Sequence, residues 1–136
     1  MAFRRSVRQL WTLTCEFEDP LATYQQEVNS CLASHLKRIP ATSFYTALPQ
    51  LISRIIHDDK NTALVVQEIL KRVLTKFPAQ AMWPLAWLKG SRNAARAKIG
   101  DLIFRGAADS YGEGHRMQSL LRASTSLFTF LQSLAT

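Results

Sequence analysis

Only two of the 136 residues are cysteine, Cys15 and Cys31, too few to staple a small secreted fold, so they read as reduced thiols of an intracellular protein. Glycine and proline are scarce, five of each, which excludes a collagen-like or linker-like chain. The longest apolar run, Ala81–Leu88, is interrupted by Pro84 and falls far short of the ~18–20 residues that a membrane-spanning helix needs. Acidic residues are missing from one stretch: residues 70–105 hold Lys71, Arg72, Lys76, Lys89, Arg92, Arg96, Lys98 and Arg105 against Asp101 alone. The remainder of the chain is near neutral, so the whole formal charge of +7 is local. What is abundant is apolar residues, 47% of the chain, enough for one folded domain rather than a disordered tail.

Helical periodicity dominates the chain. Met1–Thr14 sets Phe3, Val7, Leu10 and Trp11 on one face, with Arg4, Arg5 and Arg8 and no acid. It reads as an amphipathic first helix, with a mitochondrial presequence as the alternative. Leu21, Tyr24, Val28, Cys31, Leu32 and His35 form a second stripe. Phe44, Leu48, Leu51, Ile52, Ile55 and Ile56 form a third, closing at His57-Asp58-Asp59. Val66, Ile69, Leu70, Val73, Leu74 and Phe77 follow i, i+3, i+4, i+7, i+8, i+11 without a gap. Pro78 suits the first turn of a helix over about 79–89, with a kink or break expected at Pro84. Another helix is expected from an N-cap at Ser91 to Phe104, then a loop over Gly106–Gly114. A last stripe holds Met117, Leu120, Leu121, Leu127, Phe128, Leu131 and Leu134. No segment alternates as a strand would. The expected fold is all-α: six or seven helices in antiparallel pairs, as in a bundle or an α-solenoid.

Catalytic patterns do not emerge. Gly112-Glu113-Gly114 precedes a helix but lacks the third glycine, the lysine and the strand of a phosphate loop. His57-Asp58-Asp59 gathers metal-capable groups, yet no second His or Cys is placed to complete a site. There is no Gly-x-Ser-x-Gly, and neither cysteine has a neighbouring histidine in sequence. No catalytic, cofactor-binding or metal-binding residue is therefore assigned, and the chain by itself is expected not to be an enzyme. The basic stretch supports one alternative, a free-standing helical module binding nucleic acid. Lys89, Arg92 and Arg96 on one helical face would then meet phosphates, and Trp83 and Trp87 would stack on bases. No RNP-like or helix-turn-helix signature accompanies it.

Two segments carry a resemblance. Phe44-Tyr45-Thr46-Ala47-Leu48-Pro49-Gln50-Leu51-Ile52-Ser53-Arg54-Ile55-Ile56-His57 is followed about twenty residues later by Phe77-Pro78-Ala79-Gln80-Ala81-Met82-Trp83. Together they resemble the C-terminal part of the FAT domain of ATR-type checkpoint kinases, members of the phosphatidylinositol-3-kinase-like Ser/Thr protein kinases. The resemblance implies a HEAT/TPR-like α-solenoid segment over residues 1–105. Residues 106–136 would form a loop and final helix leading toward a kinase domain absent from this sequence.

It further implies a non-catalytic scaffold in DNA-damage checkpoint signalling and DNA repair, in the nucleus. Its partners would be the kinase domain and neighbouring FAT helices, an ATR-interacting protein partner, or a second protomer, with neither direct nucleic-acid binding nor a membrane. The parent kinase would use ATP and Mg; none of its phosphate-loop, catalytic-loop or metal-binding motifs occurs here. Phe44, Tyr45, Leu48, Gln50, Ser53, Arg54, Phe77, Pro78, Gln80 and Trp83 are the structural and interaction residues it implies. Leu48, Leu51, Ile52 and Ile55 would interdigitate with Val66, Ile69, Leu70 and Val73. Gln50 and Arg54 would hydrogen-bond between helices or to the kinase domain, and Trp83 would be a packed anchor. A piece of a longer solenoid is expected to expose apolar faces and to self-associate.

Overall fold

The computed structural model describes residues 21–135, with side chains from residue 24 onward; the amphipathic stretch Met1–Thr14 and Cys15 lie outside them. Among the described residues there are seven helices and no strand: α1 (Leu21–His35), α2 (Ala41–Thr46), α3 (Leu48–Ser53), α4 (Lys60–Lys76), α5 (Pro78–Lys89), α6 (Ala94–Asp109) and α7 (Arg116–Leu134). The fold is all-α, as the periodicity predicts. No helix among the described residues is long and apolar enough to cross a membrane. The chain divides into two compact units, Met1–Ile69 and Leu70–Thr136, with the boundary inside α4.

In the first unit, Phe44, Ala47, Leu48, Leu51, Ile55, Val66 and Ile69 are buried. The third apolar stripe is not one helix, however. Pro49 has no amide to donate to the Tyr45 carbonyl, so the chain closes α2 at Thr46 and restarts α3 at Leu48. Ala47 joins them at φ −100°, ψ 9°, and its carbonyl accepts from both Gln50 N (3.1 Å) and Leu51 N (3.1 Å). Ile56 lies beyond the end of α3 and is exposed. The expected stripe of α1 is also corrected: Tyr24, Cys31 and His35 are exposed. Val28 and Leu32 of that stripe are half-buried, and the one buried residue among those whose burial is described in the helix is Asn29, which hydrogen-bonds Asp59 and Thr62.

In the second unit, α5, α6 and α7 pack pairwise on one another. Leu70, Val73 and Leu74 from α4 are buried as their spacing predicts, together with Leu85, Leu88, Ile103, Phe104, Leu121 and Phe128. Pro78 opens α5 at its first turn, where its missing amide costs nothing. Of the kink or break expected at Pro84, a break does not occur, and the helix runs through it; Pro84 is exposed, so the Gln80 carbonyl it leaves unbonded can meet solvent. The N-cap of α6 is Asn93, not Ser91. Asn93 Oδ1 accepts from Ala95 N (3.0 Å) and Arg96 N (3.2 Å), while Ser91 Oγ accepts from Asn93 N (3.2 Å) and props the cap. Helix α6 continues past Phe104 to Asp109, taking Gly106 into the helix and shortening the expected loop to Ser110–His115. Gly114 sits at φ 77° in that loop, a conformation open to glycine. Tyr111 fastens the loop by donating its hydroxyl to the Thr75 carbonyl and stacking on His115 at 4.8 Å.

Candidate functional site

A polar clamp joins α1 to α4 in the first unit. Asp59 precedes α4, and its Oδ2 accepts from Thr62 N (2.7 Å), Thr62 Oγ1 (2.8 Å) and Asn29 Nδ2 (3.1 Å). The same Asn29 Nδ2 donates to Thr62 Oγ1 at 2.8 Å, and Gln25 Nε2 reaches that oxygen at 3.3 Å. Burial raises the Asp59 carboxyl, but the Thr62 hydroxyl and amide, the Asn61 amide and His57 outweigh it, leaving the carboxyl below its ordinary value. Asp59 therefore serves as the N-cap of α4 and ties α1 to it. His57 Nδ1 accepts from Asp59 N at 3.1 Å, which turns the imidazole to local backbone work. Among the described residues no three His, Cys, Asp or Glu side chains are grouped as a metal ion would require.

The ten residues singled out by the motif occupy different settings. Phe44 and Leu48 are core, whereas Tyr45, Ser53 and Gln80 face solvent. Gln50 and Arg54 are half-buried; Gln50 Oε1 is enclosed with no hydrogen-bond partner, and Ser53 Oγ donates to the Gln50 carbonyl at 2.7 Å. Phe77 and Pro78 form the joint between α4 and α5: Phe77 N donates to Val73 O (2.8 Å), and Ala81 N donates to Phe77 O (2.9 Å). Trp83 is not the enclosed anchor expected of it. It is 49% exposed and makes an edge-to-face contact with Phe128 at 5.4 Å. Its ring leans on α7 at one edge and leaves the other open.

Lys89, Arg92 and Arg96 do not share a helical face. Lys89 closes α5, Arg92 lies in the turn and Arg96 is in the first turn of α6. Lys89 Nζ pairs with Asp101 Oδ1 at 2.8 Å and lies 5.3 Å from the centre of the Phe104 ring, so its charge is spent inside the second unit. The lysine hydrogen bond leads in holding the Asp101 carboxyl below its ordinary value, against a smaller opposing effect of burial, and Arg105 adds to the lowering.

The sequence predicts exposed apolar faces but not their place, and the second unit carries such residues on α5 and α7. A groove of about 220 Å³ is lined by Trp83, Ala86 and Trp87 of α5 and by Phe128, Leu131, Gln132 and Ala135 at the C-terminal end of the chain. Leu127, Phe130 and Leu134 of α7 are exposed as well. The signal was present: α7 carries apolar residues over a wider arc than one packed face uses.

The model of the family described as "Serine/threonine-protein kinase ATR-like, HEAT repeats" matches residues 27–128. The chain belongs to the ATR-like kinase family. It matches that family's helical repeats, which accords with its all-α fold. The Ser/Thr-protein kinase ATR of Arabidopsis thaliana is 33% identical over 107 residues, 79% of this chain and 4% of the relative. The Ser/Thr-protein kinase MEC1 of Eremothecium gossypii is 28% identical over 80 residues, 59% of this chain and 3% of the relative. The ATR kinase of Drosophila melanogaster is 27% identical over 109 residues, 80% of this chain and 4% of the relative. The chain thus spans about 4% of the length of the ATR relatives it matches. No solved structure matches it.

Proposed function

We propose that this chain is a non-catalytic scaffold segment of an ATR-type Ser/Thr protein kinase, drawn from its FAT region. In this reading residues 1–105 are stacked helical repeats, and residues 106–136 lead toward a kinase domain. The observation that carries the reading is the family match across residues 27–128, confined to helical repeats and to about 4% of each ATR relative's length. The distribution of burial supports it: Phe44, Leu48 and Leu51 are enclosed, while Trp83, Trp87 and the α7 stripe stay open, as in an array whose neighbours cover such faces.

The segment's work is mechanical. It holds the kinase lobes in place through neighbouring helices, and it offers surface to an ATR-interacting partner or a second protomer. It would act in the nucleus, in checkpoint signalling and DNA repair. The nucleic-acid alternative loses support from Lys89, which is committed to Asp101.

An immunoblot against the Phe44–Trp83 region tests the reading. A native polypeptide many times heavier than 15.4 kDa is expected. A band near that mass would overturn the scaffold account.

A further inference from the structure

We infer that a polar recess beside the α6–α7 loop is a binding site for an arginine side chain brought by another polypeptide. Asp109 at the end of α6, the loop residues Tyr111–Gly114, and Gln118 and Arg122 of α7 line it. The recess holds about 570 Å³, within the roughly 300–1,000 Å³ of ligand sites. It belongs wholly to the second unit, and its chemistry stands without the scaffold reading.

Polar groups left unengaged set the recess apart. Gln118 is only 8% exposed and the face it keeps open lines the recess, yet its side-chain amide has no hydrogen-bond partner among the described residues. Such an amide costs free energy that a ligand's hydrogen bond would recover. Glu113 is exposed and makes no ion pair or hydrogen bond among the described residues. Asp109 Oδ1 has only Arg122 Nη2, 3.7 Å away and beyond hydrogen-bond reach, with both side chains mostly exposed. Neither Gly112 nor Gly114 has an atom within 4 Å of the place a Cβ would take, so the loop leaves the space open.

Charge and shape select the occupant. Two carboxylates against one guanidinium leave the lining at −1, on a chain whose total is +7, so the recess favours a cation. A guanidinium offers five donors in one plane, enough for two carboxylates and the Gln118 oxygen together. It also stacks on aromatic rings, and Tyr111 supplies one, held by the Thr75 carbonyl and by His115. An ammonium has three donors in a compact head and no plane to stack. A metal ion would find too few ligands, since no three His, Cys, Asp or Glu side chains are grouped among the described residues. An anion would meet two carboxylates for its one guanidinium.

The test titrates the full chain with acetylarginine amide, its uncharged citrulline counterpart and inorganic phosphate. NMR of nitrogen-labelled protein follows the Gln118 side-chain amide and the Gly112 and Gly114 backbone amides. The arginine compound is expected to shift all three, and the citrulline compound to bind about tenfold more weakly or less. Asp109→Asn and Glu113→Gln should each weaken arginine binding, whereas Arg122→Gln should strengthen it by removing the like charge. Gln118→Leu should weaken binding while Tm holds or rises, because no internal hydrogen bond is lost. Sedimentation identifies the source: a dimer that acetylarginine amide dissolves shows a second copy supplying the arginine, and a monomer that binds the compound shows a site open to a different protein. Equal binding of the two compounds, no shift at Gln118, a response to phosphate that Arg122→Gln removes, or a fall in Tm for Gln118→Leu would each overturn the inference.

Discussion

Lys89 Nζ lies 2.8 Å from Asp101 Oδ1 with the lysine side chain only 9% exposed, while the aspartate is 41% exposed. The pair joins the end of α5 to α6, and the ammonium also rests 5.3 Å from the Phe104 ring centre. The two partners are not equal. Asp101→Ala strands a nearly buried ammonium and is expected to cost about 1–3 kcal/mol in urea unfolding. Lys89→Met keeps the packed stem and leaves a carboxylate that water and Arg105 still reach, so its cost should be smaller. Equal losses for the two variants would contradict the asymmetry of burial.

Acid should weaken both units through two aspartates. Asp59 and Asp101 are both held below the ordinary carboxyl value of 3.8 in the folded chain. Their stabilisation is present above that value and is lost as pH falls through the lower folded ones. Thermal melts from pH 6 down to pH 2 are expected to show Tm falling most steeply below about pH 4. Asp59→Asn should flatten that fall, and Asp59→Ala should cost about 1 kcal/mol at neutral pH through loss of the α4 cap.

Two helical glycines of α6 predict changes of opposite sign. A Cβ on Gly100 would lie 3.0 Å from Leu88 Cβ and 3.1 Å from Lys89 N, against the backbone of α5. Gly100→Val is therefore expected to destabilise by about 1–3 kcal/mol through overpacking, more than any gain in helix propensity. A Cβ on Gly106 meets only the Lys71 side chain, at 2.9 Å from its Cδ, where a rotamer adjustment rather than a backbone shift can make room. Gly106→Ala is expected to stabilise by about 0.5–1 kcal/mol. Chemical denaturation of the two variants checks both signs.

Trp83 and Leu74 separate surface from core. Leu74 is fully buried, so Leu74→Ala should cost about 2–5 kcal/mol. Trp83 is half exposed and keeps one edge-to-face contact, so Trp83→Ala should cost roughly 1–2 kcal/mol, less than a buried tryptophan would. A Trp83 loss as large as that of Leu74 would show that the indole is enclosed in solution.

The stripe Val66–Phe77 was legible because its residues keep a strict helical period, and α4 buries them as that period requires, Phe77 partly. The division of α2 from α3 was legible too, through Pro49, but the run of apolar residues on either side masked it. The ends of α6 were harder to read. Ser91 and Asn93 are both good caps, and only the bonds to Ala95 and Arg96 decide between them. The basic face dissolved for a different reason: Lys89, Arg92 and Arg96 are close in sequence, but the turn after α5 sends them to different elements.

The sequence by itself determined the all-α fold, the positions of α4 and α5, and the likeness to ATR-type kinases. These rest on local periodicity, on proline's missing amide and on motif residues, all of which are properties of neighbouring positions. Only the tertiary structure decided that Asn29 rather than Cys31 faces inward, that Lys89 is neutralised by Asp101, and that Trp83 and Trp87 wall an open groove. Each of those depends on which helix lies beside which. A helix's own period shows that it has an apolar face, whereas how much of that face stays exposed is set by the helices packed against it.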